Sequence, residues 1–363
     1  MNISSISRLA LKHTRSAFTE FLYLKGIKDI TRPTTIYGIT NLRCNYRCVY
    51  CEYWRMPKDQ EEEMSIDQWK NALTSLKTFI GFYHIEFSGG EPFIKDGFLD
   101  LLKFCGDHDI HWGVTTNGSS FSERVVKEVV GSRPFNINIS IDSHIPEIHN
   151  YARGIPGSLE KVTEGLKRLI RERDAQGADF PIIIKPTVHS KNYQTLPDTV
   201  QWIKDIGATA INFQPMDRWT EETHNEMWIN EDKMPLLLDV VDRLCELKRG
   251  GAPILNSEKI LRLWPSHFRE ETAPPEALPC RIGLRNYFIR VNGDIEVCWH
   301  FPPIGNVKEN SARQIWNSDI ARKRRKETVE CTRLCLFTCL SQKTILDKVK
   351  MGITLLTGKR KAA

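Results

Sequence analysis

Three cysteines within one short stretch, Arg43-Cys-Asn-Tyr-Arg-Cys-Val-Tyr-Cys-Glu52, constrain this chain more than any other feature. Cys44, Cys48 and Cys51 offer three thiolates from one loop, and iron–sulfur clusters ordinarily take four cysteine ligands. A three-ligand loop therefore leaves one corner of such a cluster for something exchangeable. A closed structural zinc site also wants four Cys or His ligands, and no histidine lies between His13 and His84 to serve as the fourth. A Cys-x-x-Cys pair on its own also fits a redox dithiol. Spacing within the loop leaves the cluster, zinc and dithiol readings open, and the rest of the chain has to separate them.

Downstream lie Phe87-Ser-Gly-Gly-Glu-Pro92, Thr115-Thr-Asn-Gly118 and Ser140-Ile-Asp142. Together with Cys-x3-Cys-x2-Cys and an aromatic, Tyr50, before the last cysteine, this ordered set resembles the radical S-adenosylmethionine (AdoMet) superfamily. The resemblance implies a [4Fe-4S] cluster on Cys44, Cys48 and Cys51, with AdoMet chelating the open iron through its amine and carboxylate. Cleavage of the sulfonium by an electron from the cluster would give a 5′-deoxyadenosyl radical that abstracts a substrate hydrogen, with the cofactor carrying the chemistry and the protein supplying position. By matching position, Tyr50 would contact adenine, Gly89 and Gly90 would let the backbone approach the methionyl group, and Glu91 would receive its amine. Asn117, Ser140 and Asp142 resemble polar contacts to ribose or methionyl, and Arg153 a partner for the carboxylate. A reductant such as flavodoxin or ferredoxin is the implied electron donor.

Apolar, β-rich runs alternate with patterns of helical period, the arrangement of strand–helix units around a parallel sheet. Strands are expected at Thr35–Thr40, Tyr83–Ser88, His111–Thr116, Phe135–Ile141, Ile182–Val188 and Ala210–Gln214. Ser65-Ile-Asp-Gln68 reads as a capping box opening a helix, and Leu159, Val162, Leu166 and Leu169 share a face of another. The four cofactor signals fall at C-terminal strand ends, where parallel barrels gather their working residues. The expected fold is α/β, a partial (β/α)6 TIM-like barrel over 35–250, preceded by a helical extension at 1–34. About 34 residues before the first strand are fewer than the ~50 a small domain needs, so no separate leader-binding domain is expected there.

Beyond the barrel, Cys280, Gly293-Asp-Ile-Glu-Val-Cys298 and Cys331-x3-Cys335-x3-Cys339 resemble the SPASM and Twitch auxiliary-cluster extensions of the same superfamily. Residues 251–345 are assigned to this domain and 346–363 to a basic tail. Asn292-Gly293 marks a hairpin turn between two short strands. Five thiols supply one fully ligated [4Fe-4S] cluster with one cysteine over, so the shortened form is expected. The spare thiol among Cys331, Cys335 and Cys339 reads as a ligand of a partly formed second cluster, a hydrogen-atom donor or a packed bystander.

With 51 Lys and Arg against 45 Asp and Glu, the net charge of +6 is a mild excess that suits anionic partners, and without an aromatic-interleaved basic patch no nucleic-acid partner is expected. Ten cysteines without an evident secretory signal point to thiol ligands in a reducing compartment, with the cytoplasm as default. Cys105 and Cys245 read as small packed hydrophobes, His300 as a satisfied structural histidine, and Arg322-Lys-Arg-Arg-Lys326 as a solvated helix face. The apolar and basic segments Ile6–Leu24 and Thr344–Leu356 are expected to dock on the barrel in preference to a membrane surface.

The expected activity is that of a radical AdoMet oxidoreductase or maturase modifying a peptide by crosslinking, epimerisation or oxidation. The alternatives are dehydrogenation or epimerisation of a sugar, aminocyclitol or lipid-linked substrate, and, from another class, a non-catalytic iron–sulfur carrier or sensor. Anaerobically reconstituted protein should carry about eight irons as two cubane clusters. Replacing Cys44, Cys48 and Cys51 together by Ala should remove half of them, measured as iron and sulfide per chain.

Overall fold

The first helix after the cysteine loop starts where its cap dictates. In the computed structural model, the Ser65 side chain accepts from the Gln68 backbone N–H and the Gln68 side chain accepts from the Ser65 backbone N–H, opening the helix Ile66–Ile80. Trp69, Leu73 and Leu76 form its buried side. The structure describes residues 3–56 (side chains from 14 onward), 63–218, 226–272 and 280–336, with positions 352 and 354. Cys339 and nearly all of Thr344–Leu356 lie outside the described residues.

Eleven strands are described: β1 Thr35–Ile39, β2 His84–Ser88, β3 His111–Thr116, β4 Asn136–Ile139, β5 Ile182–Ile184, β6 Thr187–Val188, β7 Ala210–Ile211, β8 Gln214–Pro215, β9 Asn286–Ile289, β10 Asp294–Glu296 and β11 Gly305–Asn306. Nine form one sheet in the order β11-β10-β9-β1-β2-β3-β4-β5-β7. From β9 through β7 every neighbouring pair is parallel, while β10 and β11 are antiparallel additions. Helices Phe98–Asp107, Glu123–Gly131, Ser158–Ala175 and Leu196–Asp205 separate successive parallel strands, giving the expected partial barrel.

Two expected strands are each divided. Ile182–Val188 becomes β5 and β6 because Pro186, lying between them, has no N–H to donate to a ladder. Ala210–Gln214 becomes β7 and β8 because the Asn256 side chain captures the backbone of Phe213: its Oδ1 accepts from Phe213 N–H and its Nδ2 donates to Phe213 C=O, both at 2.8 Å. The detached β6 and β8 pair with each other.

Alternation along the parallel strands sorts the residues into two faces. Phe87 packs edge-on against Trp69 and Phe98, so its face meets the helices. On the opposite face Glu86 is buried in a polar band, accepting from Thr115 Oγ1 (3.1 Å), Asn138 Nδ2 (2.5 Å) and Asn136 Nδ2 (3.1 Å). A Cβ at Gly113 would lie 2.4 Å from Glu86 Oε2, so only glycine leaves room for the carboxylate there. Burial raises the Glu86 carboxyl above its ordinary range.

The hairpin β9–β10, with its turn at Gly293 (φ 92°), joins the barrel through β9, which runs parallel to β1. The N-terminal segment is fastened over the same region. Glu20 receives Arg285 bidentately, both bonds at 2.7 Å, and Trp316 Nε1 donates to Thr31 C=O. Asp29 pairs with Arg325 at 2.7 Å.

This last contact corrects the reading of the basic run in the helix Asp319–Val329. Arg325 is 1% exposed, lies 5.0 Å over the Trp316 ring and donates to Trp316 C=O, so one member of the run is a buried anchor. Cys105 and Cys245 are packed in the core as expected.

Asp29→Ala should destabilise the protein by about 3 kcal/mol, because it leaves the Arg325 guanidinium buried without its counter-charge. Asp29→Ala combined with Arg325→Met should recover most of that loss, with urea midpoints as the measurement.

Candidate iron–sulfur and cofactor site

The cysteine loop takes its shape from the end of a helix. Arg47 N–H donates to Arg153 C=O (3.2 Å) and Val49 N–H to Ala152 C=O (2.9 Å), so the loop satisfies the last carbonyls of the helix Pro146–Arg153. Gly154 caps that helix in the left-handed region (φ 65°), and a Cβ there would stand 2.2 Å from Arg47 C=O. Behind the loop, Glu91 N–H donates to Arg43 C=O and Gly90 N–H to Asn41 C=O. A Cβ at Gly90 would lie 2.0 Å from Arg43 C=O. Closeness of the Gly-Gly-Glu turn to the cysteine loop is thus the immediate reason for that glycine.

Among the thiols, Cys44 Sγ accepts from Tyr46 N–H (3.3 Å) and lies 4.0 Å from Asn117 Nδ2, while Cys48 Sγ lies 3.9 Å from Arg153 Nη1. Burial pushes Cys44 up to about 11 and Cys51 to about 12. These groups become thiolates by giving their protons up to a metal.

Glu91 is buried at the end of β2. Its Oε1 accepts from Thr116 Oγ1 (2.7 Å) and Phe93 N–H (3.1 Å), and its Oε2 from Asn117 N–H (2.8 Å). Burial raises it to about 7 against the pull of those donors. Asn117 also donates to Asn45 Oδ1 (2.9 Å), holding the end of β3 to the cysteine loop. Ser140 is half-buried past β4, its N–H on Thr116 C=O.

The element least legible in the sequence is Asp142. Fully buried, it accepts from Arg153 Nη2 (2.7 Å) and Thr187 N–H (2.9 Å) on one oxygen and from Tyr50 OH (2.7 Å) on the other. Burial alone would raise its carboxyl, but Arg153, with His189 and His149, holds it below the ordinary carboxylate range. The same burial lowers His149 to about 3 and His189 to about 4, leaving both neutral at pH 7. Tyr50, Arg153 and Asp142 therefore form one unit beside Cys48, and local motif matching treats them as three separate contacts.

The second cysteine set also converges. Cys280, Cys298, Cys331 and Cys335 line one cavity with His300 and Arg333. His300 N–H donates to Cys298 Sγ, and burial pushes Cys298 and Cys335 up to about 12. His300 is thus part of the cavity wall. Trp299 packs on both sides, with Cys298, Cys280 and Cys335 in one apolar cluster and with Tyr37, Tyr53, Met56 and Phe288 in another.

Both sets suit soft metal clusters. Arg153 Nε–H is buried without a partner beside Cys48, a donor left over for a bound anion.

The chain matches the radical SAM superfamily over residues 39–203 and an iron–sulfur cluster-binding SPASM domain over 280–340. This chain is a radical SAM enzyme. Its cofactors are the [4Fe-4S] cluster, AdoMet and auxiliary iron–sulfur chemistry. It is 25% identical over 297 residues to the AdoMet-dependent heme synthase of Methanosarcina barkeri, covering 78% of this chain and 82% of the relative. To the PqqA peptide cyclase of Bradyrhizobium diazoefficiens it is 22% identical over 273 residues, covering 71% and 70%. The solved structure of native anSMEcpe with bound AdoMet and Cp18Cys peptide shares the fold at a TM-score of 0.62 and 15% identity, covering 90% of this chain and 96% of that one.

Single Ala replacements at Cys280, Cys298, Cys331 and Cys335 should each cost about four irons of the roughly eight expected for two cubanes. Cys339→Ala, measured beside them, settles the spare thiol: unchanged iron content and cluster absorption make it Cys339, whereas a loss of about four irons makes it a ligand.

Proposed function

We propose that this radical SAM enzyme modifies a peptide at a residue whose apolar side chain rests between the two cysteine sites. The observation that carries the reading is the wall of Tyr37, Tyr53, Met56, Phe288 and Trp299. It runs from the segment after Cys51 to the residue after Cys298. Trp299 meets Phe288 at 6.0 Å and Phe288 meets Tyr37 at 6.1 Å between ring centroids. Phe288 is buried while the other four remain half-exposed, so the wall keeps apolar surface for a ligand. Likeness to a peptide cyclase and to a peptide-bound structure supports a peptide as the substrate.

In this reading Cys44, Cys48 and Cys51 hold the cluster, Glu91 takes the AdoMet amine, and Arg153 offers its remaining Nε–H to the carboxylate. Tyr50, Gly89, Gly90, Asn117 and Ser140 line the rest of the cofactor's bed. When bound, AdoMet and its cluster supply a 5′-deoxyadenosyl radical that takes a hydrogen atom from the substrate. Asp142 keeps Arg153 charged and fixed, and its bond to Tyr50 OH sets that ring. The aromatic wall excludes water and orients the side chain to be attacked. Cys280, Cys298, Cys331 and Cys335 hold a second redox centre beside that wall.

The direct test is anaerobic incubation with AdoMet, a flavodoxin or ferredoxin reductant and candidate precursor peptides, read by mass spectrometry. A changed peptide mass with matching 5′-deoxyadenosine supports the reading, whereas turnover of a tetrapyrrole or sugar with every peptide untouched overturns it. Trp299→Ala should lower kcat/KM for the peptide roughly tenfold with cluster content intact, the scale of a lost aromatic contact.

A pH dependence follows from Glu91. Its carboxyl, raised to about 7, is neutral on the acid side and charged above it. AdoMet affinity should therefore rise roughly fivefold from about pH 6 to about pH 7, as the carboxylate that attracts the amine forms. Glu91→Gln should flatten that rise in anaerobic equilibrium binding.

A further inference from the structure

The helix Ile3–Leu24 is only half used by the fold. Ser16, Thr19 and Glu20 are buried on its inner side, where Glu20 is held by Arg285. On the outer side Phe18, Phe21 and Leu24 follow at three-residue steps, 59%, 52% and 41% exposed, and Ile27 and Ile30 extend the row beyond the helix at 65% and 42%. Among the described residues these five are half of the ten exposed large hydrophobics, gathered into 13 consecutive positions. Scattered singly they would need no explanation, but five at three-residue steps within one segment mark an interaction surface.

Charge identifies what covers it. Residues 1–34 contain six Lys or Arg and two acids, Glu20 and Asp29. Both acids form ion pairs with the body of the protein, Glu20 with Arg285 and Asp29 with Arg325. Arg15, Lys25 and Lys28 remain exposed around the apolar row, and Lys25 Nζ lies 6.0 Å from the Phe21 ring. An apolar row with three exposed cations beside it, its own two acids being paired to the body, matches the interface of an anionic bilayer, with rings and branched chains at the acyl boundary and cations among the headgroups. A second copy of the chain would bring two cationic borders together, which like-charge repulsion opposes. Among the described residues no helix is long and apolar enough to cross a membrane, so the contact is with the surface.

We propose that Phe18, Phe21, Leu24, Ile27 and Ile30, with Arg15, Lys25 and Lys28, seat the enzyme on an anionic membrane surface. This holds whatever the substrate proves to be.

The test is flotation of the full-length, cluster-loaded protein with phosphatidylcholine vesicles with and without phosphatidylglycerol. Binding is expected only to the anionic vesicles and to weaken with salt. The double variant Phe18→Ser/Phe21→Ser should lose at least tenfold in partitioning with iron content and melting unchanged, and Lys25→Glu/Lys28→Glu should do the same. Slowed hydrogen exchange over residues 18–30 on vesicle addition would place the contact. No binding to anionic vesicles overturns the proposal, as does equal binding by the Phe18→Ser/Phe21→Ser variant, which would locate the contact elsewhere on the chain. A dimer in light scattering that the same variant abolishes would assign the row to a second copy instead.

Discussion

The buried pairing of Asp142 with Arg153 is the interaction on which the site depends. A carboxylate wholly removed from water is tolerable only with its charge matched and its lone pairs engaged. Asp142 meets both conditions by drawing in Arg153, Tyr50 and the Thr187 backbone. Those three come from the helix Pro146–Arg153, the cysteine loop and the broken fifth strand. Satisfying one charge therefore fixes three segments against each other. The arginine so held also faces Cys48 Sγ, a positive charge beside a thiolate at the carbonyl end of a helix, where the helix dipole alone would disfavour a negative group.

Sheet continuity performs the corresponding task for the second cysteine set. The auxiliary region is joined to the barrel by backbone pairing of β9 with β1, in register from Thr35 with Asn286 to Gly38 with Ile289. Because β1 leads into the cysteine loop and β10 leads to Cys298, four residues of parallel ladder set the relation between the two thiol groups. Trp299 then packs both on the apolar cluster around Cys298 and on the one around Leu42 and Phe288.

Local patterns were readable in the sequence where their cause is local. The Ser65–Gln68 capping box, the Asn292-Gly293 turn and the cysteine spacings each involve residues within a few positions of one another. Partners distant in sequence were not readable. Asp142 reads from its motif as a polar contact to the cofactor, and its part as the buried partner of Arg153 shows only when Tyr50, 92 residues away, and Thr187, 45 residues away, are brought to it. Arg325 sits in a run that composition assigns to solvent, and only Asp29 and Trp316 explain its burial. The divided strands fall between these cases. Pro186 is a visible ladder breaker, whereas the capture of Phe213 by Asn256 is set by a contact 43 residues long.

The fastening of the N-terminal segment has a consequence for how the chain is made. Its anchors, Arg285, Trp316 and Arg325, lie 265, 285 and 296 residues further along. During synthesis the segment leaves the ribosome well before its anchors and has no place to dock until they follow. Contacts of such sequence separation form late, because the chain between their ends must first be ordered. Until then the apolar row and its basic border are presented by an unanchored helix. That helix is free to meet a lipid surface before the domain that will hold it exists.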